Sequence, residues 1–191
     1  MVKFSHNGVI VLGLGGNLRG RWGTPRESLA RACDELETAG LNIVCSSRLY
    51  ITEAVGSGRQ PAYLNAIVVA TGAVAPGSLL RLLKRIEARA GRRTTPPLRP
   101  RPLDIDLLDY AGRRVNWPAV QRERGRLILP HPLLHMRAFV LVPLLEVAPR
   151  WVHPVLGRPA RTLLARLGPR GRKGIRGALD FHLRACDKAV R

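Results

Sequence analysis

Acidic residues are scarce in this chain of 191 residues: 13 Asp and Glu stand against 32 Lys and Arg, a formal net charge of +19. Such an excess gathers polyanions, whether nucleic acid, a membrane surface or a nucleotide polyphosphate, and a basic surface that is merely solvated has the same composition. Aromatic residues make up only 5%, and no basic and aromatic interleaving builds a stacking platform for single-stranded nucleic acid. Cysteine is limited to Cys33, Cys45 and Cys186, an odd number at wide spacings with no CxxC or Cys/His cluster. That excludes a disulfide framework or a zinc knuckle and predicts reduced, structural thiols. No apolar run reaches the roughly 18 residues of a membrane helix, and the N-terminus carries no secretory pattern, so a soluble, cytoplasmic protein without a membrane partner is expected. Two nucleotide signatures are missing as well. GLGGNLRG from Gly13 has Leu18 where a dinucleotide fingerprint needs its third glycine, and there is no GK[ST] of a P-loop.

What is present has the rhythm of a mixed fold. GVIVLGLG, residues 8–15, is a short apolar run ending in glycines and predicts a buried strand. Thr24, Pro25 and Glu27 form a capping-box pattern, Leu29, Ala32, Cys33 and Leu36 follow at helical spacing, and Gly40 closes the helix. LNIVCSSRLYIT from Leu41 and YLNAIVVAT from Tyr63 read as two strands, separated by the long loop EAVGSGRQPA. PGSLLRLLKRIEARAG from Pro76 is a second amphipathic helix, and the irregular RRTTPPLRPRP leads into a strand, LDIDLLDY. Strand, helix, strand, strand, helix, strand is the βαββαβ order of ferredoxin-like α+β folds. Beyond it, GRRVNWPAVQRERGRLIL reads as an excursion with a short strand, and LHMRAFVLVPLLEVAP as a third helical segment bent or interrupted by Pro143. The expected division is a domain over 1–160 and a basic C-terminal extension over 161–191. That extension holds nine Lys or Arg against Asp180 and Asp187, and GPRGRKGIRG within it reads as a flexible linker.

One stretch raises a chemical question. In RPRPLDIDLLDY, residues 99–110, strand alternation places Asp104 and Asp106 on one face, about 6 to 7 Å apart, and turns Leu103, Ile105 and Leu107 into the core. On spacing alone, the acids are either the solvated face of an edge strand or ligands of a cation such as magnesium, which takes one or two carboxylates and fills its octahedron with water and phosphate. Arg92, Arg93, Arg99 and Arg101, all within twelve residues upstream, supply guanidinium forks suited to phosphate oxygens and favour a phosphoryl-transfer constellation. Tyr63 and Asn65 share a strand face, a ring to stack on and an amide that both donates and accepts; a core tyrosine and a hydrogen-bonded turn remain the plainer alternative. His131 in LPHP either contacts a ligand or organises a proline-bracketed turn.

These residues, taken in order, resemble a known family, the 6-hydroxymethyl-7,8-dihydropterin pyrophosphokinases of folate biosynthesis. The similarity runs from about Val9 to Pro154 through LGLGGNL, SRLYITEAVG, QPAYLNAIV, IEARAGR, RPRPLDIDLL, LILPHP and RAFVLVPLLEVAP. The resemblance implies a ferredoxin-like αβα fold that transfers the diphosphate of ATP, the co-substrate, to the hydroxymethyl group of the reduced pterin, with release of AMP. It assigns two magnesium ions to Asp104 and Asp106 and the transferring phosphates to Arg92 and Arg101. By the same likeness Tyr63 and Phe139 sandwich the pterin, Asn65 reads its edge, and Thr52 and Val55 lend backbone contacts. Lys84, Glu87, Leu107, Arg126, His131 and Arg137 fall where the family contacts ATP. The expectation is a monomer acting on two small molecules. Arg99 stands where the family pattern has glycine, Leu98 where an aromatic residue is sometimes found, Ala54 replaces a usual proline, and the Arg-rich loop is about one residue short. The alternative reading is a basic nucleic-acid-binding protein on a pyrophosphokinase-like scaffold, with the tail as its contact.

Overall fold

The computed structural model describes residues 8–54, 60–93, 99–117 and 126–185. In chain order the elements are β1 (Val9–Gly16), α1 (Pro25–Thr38), β2 (Asn42–Ser46), β3 (Arg48–Thr52), β4 (Tyr63–Thr71), α2 (Pro76–Arg89), β5 (Asp104–Tyr110), a 3-10 turn (Leu134–Met136), α3 (Ala138–Val147), α4 (Ala160–Arg166), α5 (Gly168–Arg172) and β6 (Ile175–His182). The capping box forms as expected: the Thr24 hydroxyl accepts the Glu27 N–H at 3.3 Å, and the Glu27 carboxylate accepts the Thr24 N–H at 2.6 Å.

The strands make one antiparallel sheet in the order β5-β1-β4-β3-β6, with β2 also on β4. Strand alternation sends side chains to two faces, and each face has its own apolar layer. Ile10, Leu12 and Leu14 of β1 and Ala66, Val68 and Ala70 of β4 pack with Leu29 and Leu36 of α1 and Leu79, Leu83 and Ile86 of α2. On the opposite face Val11, Ile67 and Val69 meet Leu141 and Leu144 of α3, Trp151 and Leu163 of α4. A bulge in the β1–β5 pairing sets Leu12 opposite Leu107 and Val11 opposite Asp109, so consecutive Leu108 and Asp109 both face the α3 layer. Cys33 and Cys45 are buried thiols on opposite faces, and burial pushes the Cys33 thiol up to about 12.

Three expectations need correction. LNIVCSSRLYIT is not one strand: it breaks at Ser47 into β2 and β3, because Ser47 turns its hydroxyl inward to accept the Ile67 N–H at 2.9 Å. The third helical segment is a 3-10 turn and then α3, which runs through Pro143 although the proline cannot donate to the Phe139 carbonyl. GPRGRKGIRG is no flexible linker. Residues 160–182 form α4, α5 and β6, and β6 adds to the edge of β3, pairing Tyr50 with Ala178 and Thr52 with Ile175. Leu183 then plugs the α1 layer, and Arg184 grips Asp34 at 2.6 Å and Glu37 at 2.7 Å. Of the expected excursion, residues 118–125 lie outside the described residues, and Val115 and Leu129 pair in a single bridge. Among the described residues no helix is long and apolar enough to cross a membrane.

Candidate active site

A cavity of about 310 Å³ opens on the α3 face of the sheet, lined among others by Thr52, Tyr63, Asn65, Arg101, Asp104, Asp106, Arg137 and Phe139. Sheet register explains why residues so distant in sequence meet. Asp104 lies opposite Gly15, Gly15 opposite Asn65, and Thr52 opposite Tyr63. Directly paired residues project to the same face, so the acids, the amide and the ring form one row along the cavity floor. Gly13 and Gly15 keep that floor open: a Cβ at Gly15 would stand 2.7 Å from Asn65 Oδ1.

The acids do not sit in bare solvent. Arg92 donates to Asp104 Oδ1, and Arg101 to Asp104 Oδ2 at 2.9 Å. Burial by itself would raise the Asp104 carboxyl, but Arg92 and Arg101, with Lys84 behind them, hold it below its ordinary value. Asp106 faces the Arg137 guanidinium at 3.7 Å and the His131 imidazole, whose Nε2 lies at 4.0 Å. The acid row is bordered by three guanidinium groups, of Arg92, Arg101 and Arg137, that can also meet anionic oxygens. Among the described residues no three His, Cys, Asp or Glu side chains converge as a metal cage. The donor set is two hard carboxylates, which suits an oxygen-seeking divalent cation that brings phosphate and water ligands with it and does not suit zinc.

The surrounding residues fix this arrangement. Glu87, buried beneath β5, accepts from Arg92 at 2.5 Å, from Lys84 at 3.0 Å and from the Ile105 N–H at 2.8 Å. Burial raises its carboxyl, with Lys84 and Arg92 opposing. His131 takes the turn-organising role. Its Nδ1 accepts the Leu133 N–H at 3.2 Å and so organises the turn, while its Nε2 points toward Asp106. Burial and Arg137 depress its pKa against the pull of Asp106. Asn65 donates to the Thr52 hydroxyl at 2.7 Å, and the Tyr63 hydroxyl donates to the Arg99 carbonyl at 3.2 Å. Arg99, the departure from the family pattern, thus touches the ring through its backbone while its side chain stays exposed.

Not every expected residue reaches the cavity. Val55 and Leu98 lie outside the described residues. The Leu107 side chain is buried in the α1 and α2 layer, on the other face from the acids. Arg126 donates to Asn116 Oδ1 at 3.1 Å away from the cavity lining. Lys84 and Glu87 act from behind Asp104 rather than from the cavity wall.

One residue was missed by sequence reasoning. Asn17, almost fully buried, accepts the Arg101 N–H on Oδ1 at 2.9 Å, donates from its own N–H to the Arg101 carbonyl at 3.0 Å, and donates from Nδ2 to Pro61 at 3.0 Å. It ties both long loops to the end of β1. The available signal was a polar residue just after a glycine-ended apolar strand, beside a segment dismissed only for failing a fingerprint.

Comparison with known proteins places the chain in a lineage. The family model for 7,8-dihydro-6-hydroxymethylpterin-pyrophosphokinase matches residues 11–149. The chain is 40% identical over 149 residues to a 2-amino-4-hydroxy-6-hydroxymethyldihydropteridine pyrophosphokinase of Synechocystis sp., covering 78% of this chain and 70% of the relative. It is 39% identical over 161 residues to the protein of the same name from Methylorubrum extorquens, covering 84% and 94%. Among solved structures, a Plasmodium falciparum HPPK-DHPS chain superposes with a TM-score of 0.62 at 17% identity, covering 88% of this chain and 46% of that one. This chain thus spans about half the length of that structure, and the likeness shows the shared fold. With the matched stretch running from the floor of the cavity in β1 through the acids of β5 to the end of α3, the chain belongs to the 7,8-dihydro-6-hydroxymethylpterin-pyrophosphokinase family.

Proposed function

We propose that this chain is a pyrophosphokinase of folate biosynthesis, which transfers the β,γ-diphosphate of ATP to the hydroxymethyl oxygen of 6-hydroxymethyl-7,8-dihydropterin and releases AMP. The observation that carries this reading is that one cavity joins an acid pair, flanked by arginines, to a ring and an amide on the same strand face. We read the sheet order and helix placement as a ferredoxin-like βαββαβ core, extended by β6.

In this reading Tyr63 and Phe139 hold the pterin ring and Asn65, oriented by Thr52, reads its edge. That places the hydroxymethyl group toward Gly15 and the acids. Asp104 and Asp106 would hold magnesium, two ions by family likeness, which when bound neutralises phosphate charge. Arg92 and Arg101 already share Asp104 and can exchange its oxygens for those of the triphosphate. The substrate oxygen forms a bond to the β-phosphorus as the bond to the oxygen bridging to the α-phosphorus breaks, and the hydroxyl proton is lost. No protein nucleophile takes part, so positioning and charge stabilisation supply the acceleration. Glu87, Lys84, His131 and Arg137 surround the acids and complete the ATP side.

The test is direct assay of the full chain with ATP, magnesium and the reduced hydroxymethylpterin. AMP and pterin diphosphate should appear in equal amounts. Absence of AMP from a folded wild-type protein overturns the reading.

A further inference from the structure

We infer that Lys173 is a specificity-determining contact for the pterin ring, presented by a C-terminal turn that walls the cavity at the end remote from the acid pair. The inference rests on the reading of this cavity as the pterin site, and concerns a segment that lies beyond the family-matched stretch.

Gly171, Lys173, Gly174 and Ile175 line the same cavity as Thr52, Tyr63 and Asn65. Across the sheet, β5 with its acids is one edge and β6 the other, with β1, β4 and β3 between. Lys173 therefore sits by the pterin-ring residues of β3 and β4, whereas the arginines that suit phosphate sit by β5. The turn is held in place from several sides. The Glu53 N–H donates to the Gly174 carbonyl at 2.7 Å, Thr52 pairs with Ile175, and Arg176 holds Glu53 at 3.3 Å. Gly174 adopts φ +97°, a left-handed conformation that favours glycine.

Charge then singles out the lysine. Arg101 is committed to Asp104, Arg137 faces Asp106, and Glu53 is engaged by Arg176. Among the described residues no ion pair or hydrogen bond occupies the Lys173 ammonium. An ammonium with three donors at the wall of a ring-binding cavity suits an acceptor on the heterocycle, its carbonyl oxygen or a ring nitrogen.

Equilibrium binding of the reduced hydroxymethylpterin to the full chain, alongside steady-state kinetics, tests this. Lys173→Ala should weaken pterin binding about five- to tenfold, a charge-assisted contact discounted for exposure. The melting temperature, kcat and the KM for ATP should stay within error of wild type, and Lys173→Arg should recover most of the affinity. Wild-type binding with no loss in Lys173→Ala, or equal losses for ATP and pterin, overturns the role of Lys173 alone. A folded wild-type protein that binds no pterin overturns the reading of the cavity itself, and the lysine's role with it.

Discussion

Asn17 and Arg101 are joined twice: the Asn17 amide oxygen accepts the Arg101 N–H at 2.9 Å, and the Asn17 N–H donates to the Arg101 carbonyl at 3.0 Å. A two-point link of this kind fixes both the position and the direction of the segment, so the Arg101 guanidinium leaves it aimed at Asp104. Replacing Asn17 with Ala removes the partners of the part-buried Arg101 N–H and the Pro61 carbonyl, a loss of about 1 to 2 kcal/mol. Asn17→Ala should lower the denaturation midpoint accordingly and cut kcat/KM for AMP formation at least about tenfold. Unchanged kinetics in a destabilised variant would show that Arg101 needs no such support.

Asp104 and Asp106 carry different neighbours, and both should prove necessary. Asp104→Asn keeps the shape but frees Arg92 and Arg101 from a full negative charge, and kcat should fall by about 10²- to 10³-fold or more. Asp106→Asn should fall comparably, although its carboxylate faces Arg137 and His131 rather than the first pair. Circular dichroism should show both variants folded. Near-normal AMP release from either would remove that carboxylate from the reaction.

The cavity floor admits a simple steric test. In Gly15→Ala the new Cβ would stand 2.7 Å from Asn65 Oδ1, so the amide must swing away from Thr52. The KM for the pterin should rise about tenfold or more while the KM for ATP moves little. A parallel rise in both would mean that the sheet itself had shifted.

His153 predicts how stability responds to acid. Its ring is fully buried among Trp117, His135 and Trp151, and its Nδ1 accepts the Val155 and Leu156 N–H groups at 3.2 Å. Burial, helped by His135, lowers its pKa to about 4. The folded state therefore favours the neutral ring more than the unfolded chain does. The resulting stability is fully present above the unfolded value of about 6.5 and is lost as pH falls from there toward 4. Between pH 7 and pH 5 the wild type should lose about 2 kcal/mol that His153→Phe does not lose. Urea midpoints at the two pH values measure the difference, and equal slopes would contradict it.

Much of this architecture was legible in one dimension, for local reasons. A capping box satisfies backbone donors within one turn, so Thr24 and Glu27 announced α1 without help from the rest of the chain. Strand alternation depends only on backbone geometry, so the common face of Asp104 and Asp106 could be read from their spacing. The third acid of the same motif could not be read. Asp109 is buried and accepts the indole N–H of Trp151 at 2.8 Å, because the bulge beside Leu108 brings it onto the α3 face that plain alternation would have turned it from. Its structural role depends on a partner 42 residues away.

The C-terminal segment makes the same point more strongly. Nine basic residues with little apolar periodicity read as a tail, and on that tail rested the nucleic-acid alternative. In the fold Arg176 and Arg184 are spent on Glu53, Asp34 and Glu37, and β6 finds the open edge of β3. An edge strand needs only backbone partners, and its own side chains need not be apolar, so composition carries no trace of it.

By itself, then, the sequence determined the succession of strands and helices, the acid pair and the arginines around it, and the family likeness, since each lies within a few residues of chain or in their order. Only the tertiary structure decided that Asn17 aims Arg101, that Glu87 supports Arg92 from below, that Asp109 serves Trp151, and that residues 171–175 wall the cavity. Those relations come from sheet register and from hydrogen bonds between segments up to 123 residues apart. No local propensity encodes them, because the energy that fixes them exists only after the core has closed.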